Sequence, residues 1–167
     1  MDESNVYTDA LLKRYDWKPV VARVRRWLEA RGCGCVELLV EAVDAEFGTN
    51  HLALRCNTLV VNASYPEGKK FFLLLKPATA RADMRSVSRA IGADKARLAS
   101  IAEVHVTTRC RPGCVPPIAS LFQIPLLIDS RLAETSEVFA PSGQPGFATL
   151  IRTRDLLWAE AARIVGG

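Results

Sequence analysis

Apolar residues recur at helical spacing near the start of the chain. The pattern predicts a helix that is capped by Asp16, carries Pro19 in its first turn and ends at Gly32. Residues 1–15 before it are predicted to be a loose or partly helical lead-in. The residues expected to face the core are Val20, Val24, Trp27 and Leu28.

Runs rich in β-branched and aliphatic residues then predict strands. The segment 63–68, ASYPEG, contains turn residues, so the strands on either side of it are expected to form a hairpin. The predicted strands are 35–43, 52–62, 69–76, 103–107, 125–129, 137–140 and 147–151.

Two more helices are expected among these strands. Residues 84–91 follow Asp83, which can cap the helix, and precede Gly92, which can end it. A last helix is expected over about 154–164, with Thr153 as its cap. Helices alternating with short strands predict a mixed α/β fold, with one domain over residues 16–167.

Composition narrows the class of protein. Hydrophobic residues make up 49% of the chain and charged residues 24%, which is typical of a globular domain. The polar, acidic start is unlike a secretory signal, and no apolar run approaches the ~20 residues that cross a bilayer. Five irregularly spaced cysteines favour reduced thiols, so a cytoplasmic location and no membrane partner are expected.

Positive charge is unevenly distributed. The formal net charge is +4, but the segment from Lys69 to Arg111 contains ten Lys or Arg residues and only three acidic residues. This excess is compatible with a polyanionic partner such as nucleic acid, although a solvated charged face has the same composition.

The segment 109–118, RCRPGCVPPI, has an unusual composition for a connection between elements. Proline fixes φ and lacks a donor, while glycine allows close approach to the backbone. The segment is therefore either a stiff surface turn or a loop that presents backbone groups to a ligand.

The sequence gives weaker support to a metal site, a nucleophilic cysteine or a bound cofactor. Cys110 and Cys114 have a zinc-like spacing, but His51 and His105 are not placed to complete a site, so no metal is expected. A nucleophilic pair of His105 with Cys110 or Cys114 lacks any flanking signature. Glycine-rich phosphate motifs are absent from the sequence, and no cofactor is expected.

The order of several short motifs resembles the YbaK-type aminoacyl-tRNA deacylase family, which also occurs as the editing domain inserted in bacterial prolyl-tRNA synthetases. The likeness covers roughly residues 20–164. The similar segments are 97–103, the GxxxP-like loop Gly113 to Pro117, Leu127-Ile128-Asp129 with Leu132, the turn Ser142-Gly143, and Thr153 to Leu156.

The resemblance implies a mixed, partly closed β-sheet surrounded by helices. It implies hydrolysis of the ester of a mischarged tRNA, commonly tRNA for proline, with Gly113 and its neighbours holding the ester carbonyl through backbone groups. The partner is then the tRNA acceptor end, with a synthetase or synthetase complex as a further partner, and not DNA. Arg109 and Arg111, which flank the loop, are the expected RNA contacts. The other substrate-binding residues implied are Thr58, Cys114, Val115, Pro116, Pro117, Asp129, Ser142 and Gly143.

One departure from the family pattern bears on catalysis. The family has lysine before T-L on a strand, where this chain has Asn57-Thr58-Leu59. Arg55 lies two residues earlier and would share a face with Asn57, so it is either a replacement cation or an ordinary surface arginine. A registration that uses Lys70 or Lys76 breaks the K-T-L match. The alternative function is an impaired domain that binds tRNA or a synthetase without hydrolysis.

Smaller departures lie around the loop. Arg109 stands where the family often has glycine, and Ala119 stands where another glycine follows the proline.

Overall fold

The structure of the protein is a computed structural model that describes residues 9–34, 36–47 and 55–166. Its helices are α1 (Asp9–Leu12), α2 (Val21–Glu29), α3 (Val40–Phe47), α4 (Met84–Ile91), α5 (Ile101–Thr108) and α6 (Thr153–Ala159). Its strands are β1 (Glu37–Leu39), β2 (Cys56–Tyr65), β3 (Gly68–Pro77), β4 (Lys95–Leu98), β5 (Leu126–Asp129), β6 (Glu137–Pro141), β7 (Phe147–Arg152) and β8 (Arg163–Val165).

The described strands form two sheets. The larger has the order β4-β2-β3-β5-β8, antiparallel from β4 to β3 and parallel from β3 to β8. The smaller is antiparallel, with the order β1-β7-β6. A bridge between Arg55 and Phe139 links the two sheets. The mixed α/β class is confirmed, and the described strands form two linked sheets without closing a barrel.

The larger sheet carries apolar side chains on both faces. On one face, Cys56 and Val60 belong to the main core, together with α2, α5, α6 and the smaller sheet. On the other face, Val61 and Leu74 pack with Val87 and Ile91 of α4. Strand alternation therefore assigns each residue of β2 and β3 to one of two different environments.

The hairpin and α4 confirm the sequence-based prediction. The Asp83 carboxylate accepts hydrogen bonds from the backbone N–H groups of Arg85 and Ser86, at 3.0 and 3.3 Å. Gly92 ends α4 with a positive φ of 68°, which glycine adopts without a steric penalty. The β2–β3 turn is tighter than predicted, because pairing continues to Tyr65 and Gly68.

The predicted start of α2 is wrong. The helix begins at Val21 after Val20, so Asp16 does not cap it and Pro19 precedes it. The segment 16–20 lacks regular structure because two of its backbone groups form hydrogen bonds with residues that are distant in sequence. The carbonyl of Asp16 accepts from His105 Nε2, and the Lys18 N–H donates to the carbonyl of Arg109.

The predicted strand 35–43 is wrong beyond Leu39, where the chain turns into α3. Val40 and Val43 recur at helical spacing and pack against Phe139, so their burial favours a helix. Cys35 and residues 52–54 of the next predicted strand lie outside the described residues.

The predicted strand 103–107 is helix α5. Ser100 and Glu103 form a capping box, which satisfies the first backbone donors of a helix. Ile101, Val104 and Thr108 are buried along one helical face, which outweighs the β-propensity of this valine- and threonine-rich segment.

The predicted terminal helix is too long. It ends at Ala159, and residues 163–165 form β8, which pairs with β5 in parallel. Ala161 has a positive φ of 48°, which breaks the helix. Thr153 is the first residue of α6 and follows the N-cap Arg152, so it is not the cap. Strand β4, which pairs with the edge of β2, was not predicted.

Among the described helices, none is both long enough and apolar enough to span a bilayer.

Candidate functional site

Asn57 lies in a row of polar side chains across one end of the larger sheet. Its cross-strand partner is Lys76, the last residue but one of β3. Leu75 pairs with Ile128, so the register places Asp129 beside Lys76 on the next strand. Residues in register share a face, so Asn57, Lys76 and Asp129 all project on the α4 side of the sheet.

Lys76 has one of the largest fully buried side chains in the described chain, with 2% of its surface exposed. Its ammonium donates hydrogen bonds to the carbonyls of Pro77 and Ala80, at 3.0 and 2.5 Å. A buried charge needs such partners, because desolvation otherwise favours the neutral amine. The Lys76 side chain therefore lies beside Asn57 and also holds the turn that follows β3.

Asp129 is a buried carboxylate with its own partner. Burial raises its pKa, but hydrogen bonds from Arg131 outweigh this effect and hold the pKa below its ordinary value. Arg131 donates from Nε at 2.8 Å, and its backbone N–H donates at 2.9 Å. The charge of Lys76 acts in the same direction. Asp129 is therefore anionic at neutral pH.

Arg55 also lies on this face of the sheet. Its carbonyl accepts from the N–H of Ala78 at 2.8 Å, which continues the register of the hairpin beyond Cys56. Directly opposed residues have Cβ atoms about 5 Å apart, whereas residues two apart on one strand are separated by about 6.5–7 Å. By this strand geometry, the backbone of Lys76 lies nearer to Asn57 than the backbone of Arg55 does.

The loop 109–118 begins with a residue in an unusual conformation. Arg109 caps α5 in the left-handed region, with φ of 59°, a conformation that favours glycine. Gly113 also has a positive φ, 86°, and is exposed. By contrast, Cys114, Val115, Pro116 and Pro117 are all buried. Gly113 is therefore exposed, like Arg109 and Arg111 before it, while the next four residues anchor the loop.

The buried anchors of the loop and the side chain of Asn57 lie on opposite sides of β2. Val115 and Ile118 belong to the main core with Cys56, and Asn57 projects away from that core. Thr58 projects toward the main core instead. Its hydroxyl is buried, with the residue 4% exposed, and finds no hydrogen-bond partner among the described residues. Thr58 is thus the residue of the Asn57-Thr58-Leu59 motif that shares a face with the loop anchors.

Ser142 and Gly143 are held by internal contacts. The Ser142 hydroxyl donates to Glu37 at 2.9 Å, and Glu37 also accepts from Arg25 at 3.1 Å. Gly143 has φ of 92°, and a Cβ there would lie 2.6 Å from Val20 Cγ2. The turn therefore packs against the segment 16–20, whose Lys18 contacts the loop at Arg109.

The two thiols of the loop 109–118 are poor nucleophiles. Burial raises the pKa of Cys110 to about 12 and that of Cys114 to about 11, so both are protonated at neutral pH. His105 Nε2 bonds to the carbonyl of Asp16 at 2.9 Å, so this contact does not link it to a thiol. Within the described residues, no group of three or more His, Cys, Asp or Glu side chains is placed to hold a metal ion.

Comparison with known proteins identifies the family. The model of the aminoacyl-tRNA editing domain matches residues 39–158, which include the hairpin, the loop 109–118 and the turn at Ser142. This chain belongs to the aminoacyl-tRNA editing domain family. The YbaK-type resemblance is confirmed, and the substrate class of the family is aminoacyl-tRNA. Among curated protein sequences, none matches the chain.

Solved structures of similar proteins support the editing-domain fold. The hypothetical protein APE2540 is 26% identical, with a TM-score of 0.72 over 86% of this chain and 98% of that one. A candidate trans-editing enzyme for prolyl-tRNA synthetase is 27% identical, with a TM-score of 0.69 over 88% of this chain and 95% of that one. A candidate signal transduction protein from Marinobacter aquaeolei VT8 is 20% identical, with a TM-score of 0.61 over 87% of this chain and 30% of its own, and shows the fold alone.

Lys76 is the residue whose position the sequence-based reasoning missed. It was set aside because it breaks the K-T-L match along the chain, yet the hairpin places it opposite Asn57. Asn57 and Lys76 lie equally far from the turn, eight residues from Tyr65 and from Gly68. The predicted turn 63–68 would have placed Asn57 opposite Leu74, and only the tighter observed turn, with Tyr65 opposite Gly68, pairs Asn57 with Lys76 in this editing domain.

Proposed function

We propose that this chain hydrolyses the ester between a wrong amino acid and the 3′ end of a tRNA, with tRNA for proline as the first candidate. Membership of the editing-domain family supports the reaction. The choice of tRNA is supported by the 27% identical relative, which is named for prolyl-tRNA synthetase. A synthetase that makes the wrong product is the corresponding protein partner.

The observation that carries this proposal is the position of Lys76 opposite Asn57. The family resemblance implies a lysine at position 57, and asparagine cannot supply that charge. Because directly opposed residues share a face, the Lys76 ammonium keeps a cation on the face from which the family lysine would project. Arg55 is the second candidate for this role, one step further along β2.

The chemistry of the reaction requires few side chains. A water oxygen attacks the ester carbonyl carbon, and the bond from this carbon to the ribose oxygen then breaks. The ribose oxygen takes up a proton, which leaves a free amino acid and an intact tRNA. Each backbone donor aimed at the developing oxyanion contributes about a hundred- to a thousandfold in rate. The exposed backbone at Gly113 is the proposed source of these donors.

The remaining side chains divide into two groups. Thr58 has a buried hydroxyl that finds no partner among the described residues, and an unsatisfied buried polar group is a candidate ligand contact. Asp129 and Ser142 are bonded to Arg131 and Glu37, so we assign them as positioning residues. The anchors Cys114, Val115, Pro116 and Pro117 shape the loop from inside.

A second function has a specific observation in its favour. The ammonium of Lys76 bonds to the carbonyls of Pro77 and Ala80, so it stabilises the turn after β3. If this structural role occupies Lys76 fully, the chain is an editing-type domain that binds tRNA or a synthetase and no longer hydrolyses the ester.

Deacylation of a tRNA panel tests the proposal. The panel is alanyl-, cysteinyl- and seryl-tRNA for proline, with binding of uncharged tRNA measured in parallel. Release of one amino acid well above the spontaneous rate is expected. Binding without release in the whole panel would reject hydrolysis and support the second function.

Three variants then identify the cation. Lys76→Met is expected to lower the single-turnover rate about a hundred- to a thousandfold. Arg55→Met tests the other candidate in the same assay. Lys70→Met is the matched control, because Lys70 lies on the same strand but is exposed and 3.5 Å from Glu67. An unchanged rate in Lys76→Met, with folding verified by thermal unfolding, would remove Lys76 from the mechanism.

A further inference from the structure

A cleft beside the loop 109–118 is built largely by residues that precede the family match. It has a volume of about 300 Å³, at the lower end of the range typical of small-ligand sites. The residues that line it are Asp9, Leu12, Lys13, Tyr15, Trp17 and Arg111. Five of these six residues lie in the segment 9–17, outside the matched residues 39–158.

The aromatic rings of the cleft are held in fixed positions. Tyr15 and Trp17 lie 5.5 Å apart between ring centroids, and each lies close to the ring of His105, at 5.1 and 5.3 Å. The indole N–H of Trp17 donates to the carbonyl of Leu12 at 2.8 Å. His105 Nε2 is bonded to the carbonyl of Asp16. These contacts fix the orientation of the rings before any ligand arrives.

Both aromatic residues remain partly exposed, and Lys13 and Arg111 on the cleft wall are exposed. Two more exposed cations are adjacent, since the Lys18 N–H donates to the carbonyl of Arg109. Aromatic faces next to cations are the combination that binds single-stranded nucleic acid, because bases stack on the rings and cations contact phosphates.

The cleft also lies at a suitable distance from the proposed reaction site. Arg111 is two residues before Gly113, and two residues span at most about 7 Å of extended chain. This length is close to that of one nucleotide. The ester is carried by the terminal nucleotide of the tRNA, so a base near that terminus can occupy the cleft while the ester reaches the loop.

We infer that this cleft is a stacking site for a base of the single-stranded 3′ end of the tRNA. This inference rests on the proposed function for the identity of the nucleic acid. Tyr15 and Trp17 provide the stacking surface, and Lys13 and Arg111 contact the flanking phosphates. The Asp9 carboxylate accepts from an exocyclic amino group, as adenine and cytosine offer and uracil does not.

Binding of a small acceptor-stem RNA tests this site without any chemistry. Two uncharged hairpins are compared, one with the single-stranded 3′ end and one blunt. Trp17→Leu and Tyr15→Leu are each expected to raise Kd for the first hairpin by about 5- to 150-fold, the range for loss of one stacked base. Affinity for the blunt hairpin should stay unchanged, and Trp17→Phe should recover most of the loss.

A matched control and a charge variant complete the design. Trp158→Leu removes a tryptophan that is 85% exposed on α6, outside the cleft, and should leave Kd unchanged. Arg111→Gln should weaken binding and reduce the slope of log Kd against log salt concentration by about one. Because Arg111 is exposed, this variant also tests the site if the aromatic variants fail to fold.

The possible outcomes separate this inference from the proposed function. If wild type hydrolyses mischarged tRNA and folded Trp17→Leu binds the overhang hairpin normally, the inference is wrong and the function stands. If wild type binds through the cleft without hydrolysis, the inference stands and the function fails. Equal losses on both hairpins, or no binding of either by wild type, would also overturn the stacking site.

Discussion

The pairing of Asn57 with Lys76 predicts the effect of restoring the family lysine. Asn57→Lys would place a second ammonium on the same face of the hairpin, directly opposite the first. The Cβ atoms of such a pair are about 5 Å apart, and flexible side chains can separate the charges to about 7 Å. At an effective dielectric constant of about 20, two like charges at about 7 Å repel by about 2 kcal/mol.

The prediction is therefore a loss of about 2 kcal/mol in the free energy of unfolding for Asn57→Lys. This loss should vanish when Lys76 is replaced by methionine, which has a similar length and no charge. Urea unfolding, followed by tryptophan fluorescence, is measured for wild type, both single variants and the double variant. Asn57→Met is the control for side-chain size without charge.

The double variant also separates charge from strand position in catalysis. If the cation is needed on this face and either strand can supply it, Asn57→Lys/Lys76→Met should recover hydrolysis that Lys76→Met has lost. Equal destabilisation by Asn57→Lys in both backgrounds would refute the like-charge interaction, and with it the argument that Lys76 compensates for Asn57.

Three further predictions concern the framework of the site. Gly143→Ala should lower the free energy of unfolding by about 1–3 kcal/mol, because φ is 92° and the new Cβ would lie 2.6 Å from Val20 Cγ2. Gly146→Ala, with φ of 79° and open space around it, is the control, and an equal loss in both urea titrations would discard the Val20 contact as a cause. Arg109→Gly should raise the melting temperature, with a gain of about 0.5–1 kcal/mol, because Arg109 has φ of 59°; a lower melting temperature would show that its side chain contributes more than the strain costs. Hydrogen bonding by Arg97 lowers the pKa of Glu103 to about 2 from 4.5, so the ion pair stabilises the fold above about pH 4.5 and this contribution is lost as the pH falls toward 2. Melting temperatures between about pH 2 and 6 should therefore fall less steeply for Glu103→Gln than for wild type, and parallel curves would contradict the assignment.

Some of this fold follows directly from local sequence. Both ends of helix α4 were predicted correctly. The Asp83 side chain caps its first turn, and the backbone of Gly92 adopts the left-handed conformation that ends it, so neither signal depends on distant residues. The β2–β3 hairpin follows from the turn between two apolar runs. The order of short motifs identified the family, since it depends on spacing along the chain and not on tertiary contacts.

Other elements depend on contacts that local propensity does not contain. Residues 103–107 are rich in β-formers, yet the Ser100–Glu103 capping box and the burial of Val104 produce a helix. Strand β8 forms because Val165 packs into the apolar cluster on the α4 face of the larger sheet, beside β5. The segment 16–20 is held by the carbonyl of Arg109 and by His105, both far away in sequence.

The candidate site also combines residues that local sequence marks with residues that only tertiary structure brings together. Asn57 and Gly113 are candidates because a motif marks them, and Arg55 is a candidate because it lies two residues before Asn57 on a predicted strand. Lys76 was set aside because it breaks the K-T-L match. Its relation to Asn57 runs across the hairpin, where a one-dimensional motif gives no signal. The cleft with Trp17 was missed for a similar reason, since its rings meet His105 only after folding.

Single-turnover deacylation of alanyl-tRNA for proline by the wild-type protein decides whether this chain hydrolyses a mischarged tRNA. Release of alanine much faster than spontaneous hydrolysis is expected, although asparagine stands at position 57. Saturating binding of this tRNA with release at the spontaneous rate, repeated with the cysteinyl and seryl forms, would contradict it.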